Sequence, residues 1–214
     1  MGVQTPVRKE DIVRKLKLEY QYPQEDQTSR ALDAVRALFA VWGKSKDAHT
    51  ILREAANLIS KHLRIREVGV GMKGPDGLFR LAEFVGYRPE AEAANRKLVY
   101  TDADFVNSDV YKGVQISNLT TMYFSEDNPY DKDQEETYNR PMLLKGRRMA
   151  LDESIEGDYL STNIVSPDGV MLGWIEISGT TAWRLPDAQC IKWIELTASV
   201  LGQLLSGSGQ PASR

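Results

Sequence analysis

The chain has 214 residues, 42% of them hydrophobic and 27% charged, with a formal net charge of −3. That is a globular composition with ample material for a core, and its slightly acidic balance gives no general attraction for nucleic acid or an anionic membrane. The single cysteine, Cys190, cannot form an internal disulfide, no apolar run approaches the roughly 20 residues of a membrane span, and the start of the chain has no apolar signal core; the expectation is a cytoplasmic protein.

In chain order, three regions are expected: a helix and linker over 1–27, one domain over 28–206, and a disordered tail over 207–214. Lys9 to Tyr20 carries Ile12, Val13 and Leu16 opposite Arg14, Lys15 and Lys17. That pattern reads as a short amphipathic helix docking on its own domain or a partner, with a basic nucleic-acid arm as the alternative. Thr28 or Ser29 suits a helix N-cap, and Leu32, Val35, Leu38, Phe39 and Trp42 recur at helical spacing up to a stop at Gly43. A second helix is expected from Asp47 as N-cap, burying Ile51, Leu52, Ala55, Leu58, Ile59 and Leu63. The short connection makes the two helices antiparallel neighbours.

Val68 to Met72 predicts a strand with Val68, Val70 and Met72 on one side and Gly69 and Gly71 on the other, which leaves open space above the glycines. Gly74-Pro-Asp-Gly77 is turn chemistry and leads into a second strand over 78–85. Pro89 opens a run poor in apolar residues that predicts a surface helix. Residues 98–153 are irregular, with one weak apolar segment at 113–119, and a long irregular stretch in a domain is a lid or a binding loop. Tyr159 to Ser178 reads as two strands around Ser166-Pro-Asp-Gly169. On the second of them Met171, Gly173, Ile175 and Ile177 share one face, while Leu172, Trp174, Glu176 and Ser178 share the other. Pro186 and Asp187 open a last helix with a stripe at Ile191, Ile194, Ala198, Leu201 and Leu205.

This order of elements resembles a GAF domain. The resemblance rests on Ser161 to Ser178, above all Val170-Met-Leu-Gly-Trp-Ile-Glu-Ile177, on the helix over 47–63 running into Val68-Gly-Val70, and on the closing helix over 187–205. It covers residues 28–206. It implies an α+β fold, related to PAS domains: an antiparallel sheet of five or six strands with the N- and C-terminal helices on one face and a small-molecule pocket on the other. It also implies dimerisation through the terminal helices. Val68, Val70, Met72, Met171, Ile175 and Ile177 then face the helices, and Gly69, Gly71, Trp174 and Glu176 face the pocket.

Seven residues make up the expected ligand set: Trp174, Glu176, Tyr159, Ser161, Asn163, Arg80 and Tyr123. Glu176 leads because a carboxylate in an apolar central strand is costly unless it is paired or faces a polar cavity. Its plain structural reading is a salt bridge to Arg80 or Arg184, or an exposed sheet edge. Trp174, Tyr123, Phe124 and Tyr111 are candidates for an aromatic lining beneath the irregular segment, against ordinary packing. The two histidines, His49 and His62, are 13 positions apart on one helix and share no metal-binding face. Asp131, Asp133, Glu135 and Glu136 lack the spacing of a calcium loop.

Gly69-Val-Gly-Met-Lys-Gly74 matches a dinucleotide pattern but precedes a turn rather than a helix. The Asn-Lys-Phe-Asp-Glu set of cyclic-nucleotide-binding GAF domains is missing. Cys190, in the closing helix, reads as a packing thiol rather than a chromophore anchor or half of a redox pair. The resulting expectation is a non-catalytic, small-molecule-binding sensory or regulatory module, dimeric, with an unidentified ligand and cofactor, acting through a partner signalling protein and not through nucleic acid or a membrane. The alternatives are a GAF-like dimerisation scaffold without a ligand, and an enzyme using carboxylates such as Glu176 and the acidic stretch 152–158.

Overall fold

The structure, a computed structural model, describes residues 26–45, 47–106, 111–130 and 132–207, together with Arg14. The expected helix over 9–20 (Arg14 apart), most of the linker and the end of the tail lie outside the described residues.

Helix α1 runs Gln27–Lys44 and α2 runs Ala48–Leu63. Asp26, not Thr28 or Ser29, caps α1: its carboxylate accepts the backbone N–H of Ser29 at 2.6 Å. Gly43 does not stop the helix, which continues to Lys44 and ends at an extended Ser45. Asp47 caps α2 as expected, accepting from the N–H of Thr50 at 2.8 Å. The buried stripe of α2 is Ile51, Leu52, Ala55, Ala56, Ile59 and Leu63. On α1 the inward residues are Ala31 and Leu38, whereas Leu32 and Phe39 are 51% and 50% exposed. Their spacing placed all five apolar residues on one side, but the helix faces its neighbours along a narrower line through 31 and 38.

Six strands follow: β1 (Val68–Lys73), β2 (Phe79–Val85), β3 (Gly113–Gln115), β4 (Thr120–Tyr123), β5 (Tyr159–Val165) and β6 (Met171–Ile177). They form one antiparallel sheet in the order β2-β1-β6-β5-β4-β3. Both Pro-Asp-Gly turns close as the sequence required, with Gly77 at φ 79° and Gly169 at φ 81°. The short β3 and β4 lie in the stretch the sequence left irregular, and they add two strands beyond β5.

Helix α4 (Ala188–Gly207) closes the fold, with the carboxylate of Asp187 accepting the N–H of Cys190 at 2.7 Å. It reaches one residue into the expected tail. It crosses β5 so closely at Gly202 that a Cβ there would strike the Val165 carbonyl. Between the sheet and α1, α2 and α4 sits the main core: Val68, Val70, Leu160, Ile164, Ile175 and Ile177 against Leu38, Ile51, Leu52, Ile194, Ala198 and Leu201. Cys190 is buried in it, and burial pushes its thiol up to about 12.

The faces of β1 and β6 agree with the sequence except at one end. The β5–β6 pairing slips between Ile164 and Val165, so the strict alternation breaks. Leu172 consequently packs with the helices, and Met171 packs on the opposite face with Phe79, Leu81 and Trp174. A similar slip in β1–β2 falls between Val70 and Gly71.

The other face is covered by α3 (Pro89–Asn95), by 3-10 turns at Asp102–Phe105, Lys132–Thr137 and Pro141–Leu143, and by the loops between them. The 89–95 helix is not purely a surface element. Ala91 is fully buried and Asn95 nearly so, and the Asn95 amide donates to the carbonyls of Ala91 at 2.9 Å and Thr137 at 2.8 Å.

Candidate functional site

Between this second face and its irregular cover lies a cavity of about 540 Å3. Its floor is the sheet. Glu176 comes from β6 and Ser178 directly follows that strand, Tyr159 and Ser161 come from β5, and Tyr123 from β4. Trp174 closes one end. It is 2% exposed, with its ring centroid 5.1 Å from Phe105, 5.5 Å from Tyr100 and 6.2 Å from Phe79. The open space expected above Gly71 is therefore filled: a Cβ on Gly71 would fall inside the Trp174 ring. The hollow begins at the next strand position, beside Glu176.

Five of the seven expected ligand residues meet at this cavity: Trp174, Glu176, Tyr159, Ser161 and Tyr123. Tyr123 and Tyr159 pair across the strands as stacked rings, 4.6 Å between centroids and 12° between planes. Asn163 is paired in register with Trp174 and shares its side of the sheet, but stands outside the cavity wall. Arg80 is placed elsewhere. Its register partner is Met72, whose side chain packs against the helical core, and its guanidinium holds Asp76 at 2.8 Å across the turn. Phe124 likewise packs with the helical core, while Tyr111 does line the cavity.

Neither salt bridge considered for Glu176 is formed. Arg80 binds Asp76 and Arg184 binds Asp152, and β6 is a central strand rather than an edge. Glu176 instead meets the Tyr87 hydroxyl, 3.5 Å from its Oε1, and the Trp174 indole N–H, and no cation pairs with it among the described residues. Burial raises its pKa above the ordinary 4.5, only partly opposed by those two donors.

Six tyrosines surround it: Tyr87, Tyr100, Tyr111, Tyr123, Tyr138 and Tyr159. Burial first, and the Glu176 carboxylate second, raise the pKa of all but Tyr111, Tyr138 to about 12. The hydroxyls of those five thus remain protonated within the field of one carboxylate, and that of Tyr87 is the one that reaches it. Three of these, Tyr87, Tyr100 and Tyr138, were not singled out in the sequence. They sit at scattered positions without common spacing, and the tyrosine content of the chain was the one available signal.

A second, charged end lies beside Ser178. The Glu67 carboxylate, 4% exposed as a residue, accepts from the Ser178 hydroxyl and pairs with Arg140. Arg140 also reaches Glu156 at 3.4 Å, and Arg148 binds Asp158 at 3.0 Å. Trp183 lies against Arg66, 3.8 Å from guanidinium to ring centre, and against Arg140 at 4.9 Å. Arg66 lines the cavity with its side chain 9% exposed; its Nε lies 3.8 Å from the Glu67 carboxylate and its Nη2 donates to the Ser154 hydroxyl at 3.4 Å, while Nε and Nη1 have no hydrogen-bond acceptor. Burial lowers its pKa, and neighbouring Glu67 opposes the shift. This cluster was not visible in the sequence, because Arg66, Glu67, Arg140 and Glu156 are brought together from three separate segments. Among the described residues no group of three or more His, Cys, Asp or Glu side chains is arranged to hold a metal ion.

No protein-family model matches the sequence. No curated protein matches it. Solved structures do. The GAF domain/HD domain protein from Geobacter sulfurreducens is 12% identical and superposes with a TM-score of 0.55, over 76% of this chain and 94% of that one. The GAF domain of a phosphoenolpyruvate-protein phosphotransferase from Coxiella burnetii gives 10% identity and a TM-score of 0.54, over 84% and 95%. A free methionine-R-sulfoxide reductase from Neisseria meningitidis, solved in complex with its substrate, gives 11% and 0.54, over 86% and 92%. The chain therefore has the GAF-domain fold: α+β, with a six-stranded antiparallel sheet and its terminal helices on one face. Among the described residues no helix is long and apolar enough to cross a membrane.

Proposed function

We propose that the protein is a non-catalytic sensory or regulatory module that binds a small molecule between the sheet and its irregular cover. The observation that carries this reading is a cavity of about 540 Å3 with an unspent polar group on its floor, Glu176, which has no cation beside it among the described residues. The volume falls in the range of roughly 300–1,000 Å3 usual for small-molecule sites, with aromatic walls and a few convergent polar groups. Buried polar atoms are ordinarily satisfied, so those left over in a hollow mark where a ligand supplies the partner. The Neisseria reductase adds support, since it holds a small molecule on this fold. The ligand-free scaffold is favoured only at the Trp174 end, where the indole fills the space over Gly71.

Occupancy would be reported through the terminal helices to a second copy and a partner signalling protein. Leu32 and Phe39, seven positions apart and half exposed, form an outward stripe on α1 suited to self-pairing. A thermal-shift and native mass-spectrometry screen of metabolites tests the reading. At least one ligand class should raise the melting temperature and shift the Trp174 fluorescence. Silence from every class would leave the scaffold reading in its place.

A further inference from the structure

The cavity is not chemically uniform, and its two ends make different demands. At the charged end the acids are already answered: Glu67 and Glu156 by Arg140, and Asp158 by Arg148. At the aromatic end one carboxylate, Glu176, stands among tyrosine rings, and among the described residues Tyr87 and Trp174 are its two donors. A carboxylate half-buried in a hollow without a counter-charge is disfavoured, and a positive group brought to it, displacing water, gains from the lowered local dielectric. Electron-rich ring faces attract the same positive group.

We infer that the ligand is an organic cation, a small molecule whose protonated amine or amidine pairs with Glu176 while its apolar body lies against Tyr87, Tyr100, Tyr138 and Trp174. This rests on the small-molecule reading above and names the ligand class for that site. Anions meet the field of Glu176 at the same point and are rejected. Neutral compounds of the same shape keep the aromatic contacts and lose the ion pair. Charge at one atom of the ligand, more than its size or ring system, should decide affinity.

The test uses matched triplets that differ only at the terminal group: tryptamine, tryptophol and indole-3-acetate, and 2-phenylethylamine, 2-phenylethanol and phenylacetate. Binding of each to the full chain is measured by calorimetry near neutral pH. In both series the amine should bind at least about tenfold more tightly than the alcohol, as expected of a charge-assisted hydrogen bond, and the carboxylate no better than the alcohol. Glu176→Gln should remove the amine's advantage and leave the alcohol's affinity in place. Alcohols or carboxylates that bind as tightly as the amines, or an amine preference that survives in Glu176→Gln, would overturn the cation assignment while leaving the small-molecule reading intact. If no member of either triplet binds and the metabolite screen is also silent, both fall together. The comparison within the wild-type chain decides the matter even if the variant folds poorly.

Discussion

The indole of Trp174 occupies the volume that any side chain at Gly71 would need. The two residues are paired in register on adjacent strands, β6 and β1, so the absence of a side chain on one strand lets the largest side chain of the next lie flat across it. This contact sets where the cavity starts. With Trp174 folded over Gly71, the hollow is displaced toward Glu176 and the tyrosines.

Gly71→Ala should therefore cost about 1–3 kcal/mol through overpacking. It should also push the indole into the cavity, shifting tryptophan emission. Equilibrium urea unfolding reads the first effect and fluorescence the second. Combining Gly71→Ala with Trp174→Phe should recover part of the lost stability, since the two sites are coupled by direct contact. Strictly additive losses would contradict the packing described.

Glu176 gives a pH-dependent expectation. Its folded-state pKa lies above the ordinary 4.5, so the folded protein holds this proton more tightly than the unfolded chain. Below about 4.5 the group is protonated in both states and costs nothing. As pH rises from there through the folded-state pKa, the folded state loses stability relative to the unfolded chain. Glu176→Gln should thus raise the melting temperature at pH 7, by about 2–4 °C for each kcal/mol of penalty removed, and the gain should shrink toward zero as pH falls below 4.5. Calorimetric melts of the ligand-free protein across that range give the comparison. A variant less stable than wild type at pH 7 would show that Glu176 has a stabilising partner.

Arg140 ties Glu67 to Glu156 and lies against Trp183. Removing one partner of a buried pair usually costs roughly 3–5 kcal/mol. Arg140 is 28% exposed in its side chain, and Glu67 keeps Ser178, so the expected loss for Arg140→Ala is about 2–3 kcal/mol. The urea midpoint measures it. Arg140→Lys should recover less than half, because an ammonium cannot bridge two carboxylates and stack on an indole as a guanidinium does.

The outward stripe of α1 predicts that Phe39→Glu weakens self-association without unfolding the domain, since Phe39 is half exposed. Sedimentation velocity over a concentration series should show a shift toward monomer, with an unchanged circular dichroism spectrum. A wild-type chain that is monomeric at every concentration would remove α1 as a dimer surface.

The local chemistry of the chain determined a good deal on its own. Both Pro-Asp-Gly turns, the Asp47 cap, the stripe of α2 and the face assignment of Val68, Val70, Ile175 and Ile177 follow from short-range rules that hold wherever the segment sits. The unequal sheet, and with it the position of Trp174 and Glu176 opposite the helices, was legible for that reason. Tertiary structure decided the rest. Register slips in β1–β2 and β5–β6 moved Met171 and Leu172 to unexpected sides and set Arg80 on the helix side of the sheet, because a one-residue slip inverts a strand and depends on the partner strand. The tyrosine ring around Glu176 and the Arg66–Glu67–Arg140 cluster assemble from segments far apart in sequence, so no spacing announces them. Only the folded chain brings those side chains to a common cavity and shows which of their charges are left unanswered.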